Sequence, residues 1–198
     1  MDLKGKKVIL ASNSPRRKEL LAGLCVDFEI DTDNNFVESF DPATPHRDVP
    51  VLMSEGKSMG FHRPLVDNEI LITSDTMVLL DGLILGKPHS REEAIQMLKT
   101  LSGRTHEVIT AVTIRDVSHV KTVTDSTLVH FRELSDEEIC YYIDKFRPYD
   151  KAGAYGVQEW IGYAAITGVE GSFYNVMGFP VHKVYEELIK FAGYGTER

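Results

Sequence analysis

Residues 6–24 read KKVILASNSPRRKELLAGL, an apolar run followed by a short polar turn and a leucine-containing segment. We expect a strand over residues 6–11 and a helix over residues 18–24, whose leucines share one face at helical spacing. Ser14 and Pro15 lie between them and are typical of a helix start, with a hydroxyl for the N-cap and a fixed φ for the first turn. This stretch therefore predicts a strand, a tight connection and a helix.

Two arginines, Arg16 and Arg17, fall in the first turn of that helix. The partial positive charge of a helix N-terminus makes a cation there cost about 0.3–1 kcal/mol. A bound anion would reverse this cost, because free backbone N–H groups, the guanidinium groups and the hydroxyls of Ser12 and Ser14 would bind it. A phosphate-binding turn and a pair of solvated arginines both fit the pattern.

The composition is that of an ordinary globular protein, with 198 residues, 42% of them hydrophobic and 26% charged. The length suits one domain over residues 1–198, or one domain with two lobes. The formal net charge of -8 argues against a large nucleic-acid-binding surface, which needs a basic stripe, but it allows a local basic pocket for a small phosphorylated ligand. No signal peptide and no membrane-spanning run is recognised, so we expect a cytoplasmic protein.

The rest of the chain alternates helical and strand patterns. Strands are expected over residues 26–31, 69–73, 77–80, 83–85, 105–115, 120–132 and 161–167, and helices over residues 51–62, 90–101, 135–146 and from 180 onward. Asp81-Gly82 predicts a tight hairpin, and Ser90 and Ser135 each open a capping-box pattern. The mixture predicts an α/β protein with a mixed central β-sheet flanked by helices, and the long loops suggest two lobes with a cleft between them.

Asp75 follows the strand expected at residues 69–73, so its carboxylate should lie at the carboxyl end of a buried strand, where open α/β sheets bind ligands. It could hold a divalent cation or activate a water, although a turn aspartate has the same local sequence. Lys87 closes the hairpin that begins just after Asp75. Pairing of the hairpin arms would return its ammonium towards the carboxylate as a phosphate contact; the alternative is an exposed loop lysine.

Other polar residues carry weaker signals. Lys57 lies in a helix weakened by glycines and Glu38 in the loop before it, and each alone is more typical of the surface. Gln158 ends a stretch of small residues and could bind the edge of a base through its amide. Ser172 and Asn175 could line a pocket in a similar glycine-containing segment. In both segments a plain loop is the competing interpretation, and the chain has no P-loop, G-x-S-x-G or H-E-x-x-H motif.

Six segments taken in order resemble the Maf family of nucleoside triphosphate pyrophosphatases. They are SNSPRRKELL (residues 12–21), SDT (74–76), DGLILGKP (81–88), LSG (101–103), DKAGAYG (150–156) and GSFYNVMGFP (171–180). The order and spacing agree over residues 8–188. The resemblance implies a single pyrophosphatase domain with the Maf and inosine-triphosphatase-like fold. It also implies hydrolysis of a nucleoside triphosphate to the monophosphate and pyrophosphate with the help of a divalent cation. Mg²⁺ is the expected cation, and Mn²⁺ and Co²⁺ are the alternatives.

The resemblance also implies roles for individual residues. Asp75 would be the catalytic carboxylate and a metal ligand, and Glu38 would be a second acidic group near the metal. The phosphates would be bound by Ser12, Ser14, Arg16, Arg17, Lys57 and Lys87. The chain departs from the family at Val37, where an acidic residue is common, and at Ser58, where the family usually has alanine after the lysine.

Arg16, Thr76 and Gln158 match the family branch that acts on dTTP and UTP, so the resemblance implies a pyrimidine nucleotide diphosphatase, with modified pyrimidine nucleotides as further substrates. Two alternatives stay open: a house-cleaning hydrolase of modified purine nucleotides such as 7-methyl-GTP, and a non-catalytic nucleotide-binding regulator of cell division. The expected partner is a small-molecule nucleoside triphosphate rather than nucleic acid or a membrane. A homodimer is left open.

Overall fold

The computed structural model describes residues 2–194. Its strands are β1 (Lys7–Leu10), β2 (Phe28–Ile30), β3 (Glu69–Leu80), β4 (Leu83–Leu85), β5 (Thr105–Arg115), β6 (Val120–Phe131) and β7 (Ile166–Glu170). Its helices are α1 (Pro15–Ala22), α2 (Val49–Met59), α3 (Arg91–Leu101), α4 (Asp136–Phe146), α5 (Trp160–Ala165), α6 (Phe173–Val176) and α7 (Val181–Phe191). The strands form one sheet in the order β2-β1-β3-β5-β6-β7, with β4 paired to β3. β1 is parallel to β2 and β3, whereas β3/β4 and β6/β7 are antiparallel, so the predicted mixed sheet is confirmed.

The chain divides into two compact units, and we name them by their place in the sequence. The first unit comprises residues 2–75, 110–125 and 178–194 of the described chain, and the second unit comprises Thr76–Ile109 and Ser126–Met177. The boundaries fall inside β3, β5 and β6, so each of these strands contributes residues to both units. The expected two lobes are confirmed by this division, while the cleft stays a prediction.

The core of the first unit is built on β1 and the first half of β3. Val8 pairs with Ile70 and Leu10 with Ile72 in parallel register, and these four side chains are buried. Both strands read as continuous apolar runs because a parallel strand covered on both faces has no polar side.

β3 continues through residues 74–76, which the sequence analysis left between separate strands at residues 69–73 and 77–80. The strand runs from Glu69 to Leu80, so the expectation that Asp75 lies beyond its carboxyl end was wrong. Ser74 and Asp75 are residue types common in turns, but Thr73 and Thr76 on either side of them are β-branched and favour strands. Thr73 is also fully buried, and its hydroxyl donates to the carbonyl of Ser54 at 2.7 Å.

The strand expected at residues 161–167 was also wrong over most of its length, because α5 occupies Trp160–Ala165 and β7 begins only at Ile166. A short apolar run does not by its periodicity distinguish a buried strand from a buried helix. Gly162 allows the helix to approach the preceding backbone closely, since a Cβ at this position would lie 1.8 Å from the carbonyl oxygen of Val157.

Most local signals were accurate. Ser14 caps α1 by accepting from the backbone N–H of Arg17, so the helix starts at Ser14-Pro15 as predicted, and it ends at Ala22 rather than at residue 24. Asp81 and Gly82 have φ of 49° and 80°, as the predicted tight hairpin requires. Ser135 forms both halves of its capping box, whereas Ser90 forms one half only. Within residues 2–194, no helix combines the length and apolar character needed to cross a membrane.

Candidate functional site

Three of the predicted site residues meet in the first unit. The Nζ of Lys57 lies 2.6 Å from Asp75 Oδ1 and 3.0 Å from Glu38 Oε1. The side chains of Lys57 and Asp75 are 20% and 21% exposed, whereas that of Glu38 is 62% exposed. One ammonium therefore bridges two carboxylates in a cluster that is sheltered at Asp75 and open at Glu38.

Gly56 on α2 and Gly60 directly after the helix allow this meeting. A Cβ at Gly56 would lie 2.3 Å from the Phe36 ring, and one at Gly60 would lie 2.7 Å from the Phe36 Cβ. Asn34 also donates its side-chain N–H to the carbonyl of Lys57 at 2.6 Å. The loop before Glu38 is thus packed directly on the helix that carries Lys57. The sequence analysis counted these glycines only as helix-weakening, and their spacing of four residues was the available signal of a close approach.

Buried hydroxyl groups fix α2 against the sheet beside Asp75. Ser54 lies one turn before Lys57, and its Oγ is 2.8 Å from the Oγ1 of Thr113 on β5. Thr73 donates to the carbonyl of the same serine. Ser54, Thr73 and Thr113 are fully buried, and buried hydroxyl groups that find partners make the packing of their elements specific. The helix carrying Lys57 and the strand carrying Asp75 are therefore held in register.

Arg17 connects α1 to the residue before Asp75. Its Nη1 donates to the carbonyl of Ser74 at 2.9 Å, and its Nε donates to the carbonyl of Gly178 at 3.0 Å. Burial lowers the pKa of Arg17 to about 10, and the charge of Asp75 opposes that shift, so the guanidinium stays charged at neutral pH. Arg17 therefore acts first as a positioning group between three segments, and its phosphate contact stays a prediction.

The turn between β1 and α1 is shaped by its two serines. Ser12 is buried, and its Oγ accepts from the backbone N–H of Ser14 at 3.2 Å. The Oγ of Ser14 in turn caps α1. Arg16 lies close enough for its charge to lower the pKa of Arg17, so the cationic first turn is formed as expected. The serine oxygens stabilise the turn as acceptors, and their contact with phosphate stays a prediction.

The remaining predicted residues belong to the second unit. Lys87 is exposed, and the segment that carries it is tied to the 152–154 turn by a hydrogen bond from the Gly153 N–H to the Gly86 carbonyl at 3.0 Å. Val78 pairs with Leu85 in the β3/β4 hairpin. If this register continued beyond the end of β4, Lys87 would lie opposite Thr76. The return of the Lys87 ammonium towards Asp75 stays a prediction.

Gln158 is partly buried, and its Oε1 is shielded from solvent without a hydrogen-bond partner among the described residues. A buried acceptor without a partner is uncommon and calls for an explanation, such as a ligand that donates to it.

A buried cluster of Lys151, Glu159 and Tyr142 holds the segment before Gln158. Lys151 Nζ lies 3.0 Å from Glu159 Oε1, and the same carboxylate accepts from the hydroxyl of Tyr142. That hydroxyl accepts from the backbone N–H of Gly156 at 3.0 Å. Burial and the bond to Glu159 raise the pKa of Tyr142. The sequence analysis missed Tyr142 and Glu159, because nothing in a single sequence pairs residues 17 positions apart.

The suggestion that Asn175 lines a pocket stays a prediction. Its side chain is fully buried and donates to the Val108 carbonyl at 3.0 Å and to the Thr127 Oγ1 at 2.9 Å. Ser172 caps the short helix α6 by accepting from the backbone N–H of Asn175. Both residues therefore stabilise the fold of the second unit.

The acidic pair of the first unit suits a divalent cation. Mg²⁺ is usually bound by one or two carboxylates together with waters and substrate phosphates. Asp75 and Glu38, which share one ammonium, supply two carboxylates of this kind, so the residues present fit a cation that arrives with a triphosphate.

A second cluster of possible ligands lies at the end of β2. Asp31, Asp33 and His62 have ligand atoms within 4.8 Å of one another. His62 Nε2 lies 3.0 Å from Asp31 Oδ2, and this hydrogen bond lowers the pKa of Asp31. Spacing along the chain did not indicate this cluster, because His62 comes 31 residues after Asp31.

Comparison with known proteins agrees with the resemblance. The family model for Maf, described as Maf-like protein, matches residues 7–191. A dTTP/UTP pyrophosphatase of Porphyromonas gingivalis is 51% identical over 192 residues, which cover 96% of each chain. Proteins of the same name from Bacteroides thetaiotaomicron and Flavobacterium johnsoniae are each 48% identical; the aligned residues cover 93% and 94% of this chain and 95% of each relative.

Proposed function

Because the chain belongs to the Maf family, we propose that it hydrolyses dTTP and UTP to the monophosphate and pyrophosphate, and modified pyrimidine nucleotides by the same reaction. The observation that carries the proposal is the Asp75–Lys57–Glu38 cluster, with distances of 2.6 and 3.0 Å. The names and the near-complete coverage of the relatives support the same activity. We place the reaction in the cytoplasm, where these nucleotides are made.

Asp75 is the proposed general base. Its carboxylate would orient a water for attack on the α-phosphorus and accept the proton as the new phosphorus–oxygen bond forms and the bond to pyrophosphate breaks. Lys57 donates to this carboxylate at 2.6 Å and so holds it in place before the reaction. Arg17 holds the backbone just before this residue through the Ser74 carbonyl, so the base is positioned by contacts on both sides.

Cationic side chains would offset the charge that builds on the departing pyrophosphate. We assign this role to Arg16, Lys57 and Lys87, with Arg17 mainly as the positioning group already described. Asp75 and Glu38 would hold a divalent cation, which would polarise the phosphate oxygens. We propose Mg²⁺ as this cation, with Mn²⁺ and Co²⁺ as the alternatives.

Gln158 is the proposed determinant of the base, together with Arg16 and Thr76. Its Oε1 is a buried acceptor without a partner among the described residues, and uracil and thymine offer an N3–H donor beside the O4 acceptor. An amide can satisfy both of these groups at once. Cytosine presents the opposite pattern, which the amide matches only after turning over, so selection against CTP requires the orientation of the Gln158 amide to be fixed.

The test is pyrophosphate release from dTTP, UTP, CTP, GTP and 7-methyl-GTP measured side by side with Mg²⁺. We expect dTTP and UTP to be preferred, and Asp75→Asn to lower turnover of both by about 10²-fold or more. Asp27→Asn is the matched control, because Asp27 is an exposed aspartate of the same unit. Preference for 7-methyl-GTP, or binding without release, would replace the proposal by one of the two alternatives, and near wild-type turnover by Asp75→Asn would refute the base assignment.

A further inference from the structure

Lys57 already binds both carboxylates that the proposed cation needs. Its Nζ is within 3.0 Å of Glu38 Oε1 and 2.6 Å of Asp75 Oδ1. We infer that Lys57 is the resident counter-ion of this pair in the nucleotide-free protein, and that a divalent cation takes these carboxylates only with a triphosphate that draws the ammonium away. The inference rests on the proposed function and concerns the order in which the same site is filled.

The first argument is electrostatic. An ammonium and a divalent cation on the same two carboxylates would repel each other, and this repulsion is screened poorly where water has little access. The side chains of Lys57 and Asp75 are about four-fifths shielded, at 20% and 21% exposure. The ammonium already neutralises part of the negative charge that would attract the cation. Metal binding to the protein alone therefore has to displace Lys57 or bear that repulsion.

The second argument is that the backbone of Lys57 is fixed while its side chain is flexible. The carbonyl of Lys57 accepts from Asn34 at 2.6 Å, and α2 is fixed through the buried hydroxyl of Ser54. The backbone of Lys57 is thus held next to the acidic pair, while its long side chain can redirect a compact charge. A triphosphate offers several oxygens as new partners, so the same lysine can exchange carboxylates for phosphate without movement of the helix.

The third argument is the small number of protein ligands. Among the described residues, the group of three or more potential ligands is Asp31, Asp33 and His62, which does not include Asp75 or Glu38. Two carboxylates alone leave most of the coordination sphere of Mg²⁺ to water or substrate. Phosphate oxygens therefore complete the site and release the ammonium from it in the same event.

The experiment measures Mn²⁺ binding by electron paramagnetic resonance in the absence of nucleotide. We expect Lys57→Met to bind one Mn²⁺ at least about tenfold more tightly than wild type, a typical coupling between two ligands of one site. The gain should disappear in Lys57→Met/Asp75→Asn. Lys99→Met is the matched control, because Lys99 forms a single ion pair with Asp136 at 2.8 Å and its loss changes the net charge equally.

Equal Mn²⁺ affinities of wild type and Lys57→Met, or an equal gain in Lys99→Met, would overturn the inference. If Lys57→Met does not fold, wild type provides the test: without nucleotide it should bind Mn²⁺ no better than Asp75→Asn, and with the unreactive analogue α,β-imido-dUTP it should bind Mn²⁺ at least about tenfold better than Asp75→Asn with the same analogue. Tighter nucleotide-free binding by wild type, or no difference with the analogue, would refute it.

The two proposals fail separately. The nucleotide-free titrations contain no substrate, so a gain in Lys57→Met stands even if the nucleotide panel shows no hydrolysis. Conversely, hydrolysis of dTTP and UTP with no effect of Lys57 on Mn²⁺ affinity would keep the proposed function and remove the inference about the counter-ion.

Discussion

Acid should destabilise this protein through one buried histidine, His106. The residue is 2% exposed, its Nε2 lies 2.7 Å from the hydroxyl of Tyr155, and the rings of Phe131 and Tyr155 pack edge-on against it. Burial lowers the pKa of His106 from 6.5 to about 4, and the charge of His130 acts in the same direction. The folded protein therefore keeps this imidazole neutral at pH values where an unfolded chain would protonate it.

The direction and size of this pH effect on the free energy of unfolding follow from proton linkage. Between pH 6.5 and about 4 the unfolded state binds more protons at His106 than the folded state, so the free energy of unfolding falls as the pH falls. The pKa difference corresponds to about 3.4 kcal/mol once the pH is below both values. About 2 kcal/mol of this is lost between pH 7 and pH 5, a range in which ordinary carboxyl groups with a pKa of about 4 stay mostly ionised.

The assay is urea unfolding of wild type and His106→Gln at pH 7 and pH 5. Glutamine does not titrate and can still bond to the Tyr155 hydroxyl, so the variant should lose about 2 kcal/mol less than wild type over this range. His89→Gln, which removes an exposed histidine of the same unit, should lose as much as wild type. Equal losses by wild type and His106→Gln would refute the reasoning.

Three further substitutions test contacts around the candidate site. Gly56→Ala places a Cβ 2.3 Å from the Phe36 ring and should lower the free energy of unfolding in urea by about 1–3 kcal/mol, with recovery on adding Phe36→Ala. Tyr142→Phe removes the hydroxyl that accepts from the Gly156 N–H. The loss of about 1 kcal/mol should lower the ratio of kcat/KM for dTTP to kcat/KM for dCTP several-fold. An unchanged ratio would show that Tyr142 takes no part in selecting the base. Arg17→Lys keeps the charge but not the guanidinium fork that reaches two carbonyls, so kcat for dTTP and the melting temperature should both fall. Unchanged values of kcat and melting temperature in this variant would contradict a positioning role.

Features decided within a few residues were predictable from the sequence. The start of α1 at Ser14-Pro15 and the Asp81-Gly82 hairpin each depend on the backbone preferences and short hydrogen bonds of neighbours. The strand character of Asp75 did not follow in this way, because it depends on distant partners such as Ser54, which accepts from Thr73 on the same strand. Local polarity indicates a turn until those partners are known.

The candidate site shows the same division. The cationic turn at Arg16 was visible from its position at a helix start, but the approach of Glu38 to Lys57 was implied only by the family resemblance. Its physical cause is the contact of Phe36 with Gly56, two residues that are 20 positions apart in the sequence. No periodicity or spacing rule connects them, since the contact depends on how a loop crosses a helix.

The interleaved segments of the two units have a consequence during synthesis on the ribosome. The first unit requires α7, which ends at Phe191 and contributes the buried side chains of Val184 and Leu188. The second unit is interrupted by residues 110–125 and resumes only at Ser126. During synthesis the apolar strands of the first unit therefore stay uncovered by α7 until Phe191 has left the ribosome, and over that interval they are exposed to chaperones.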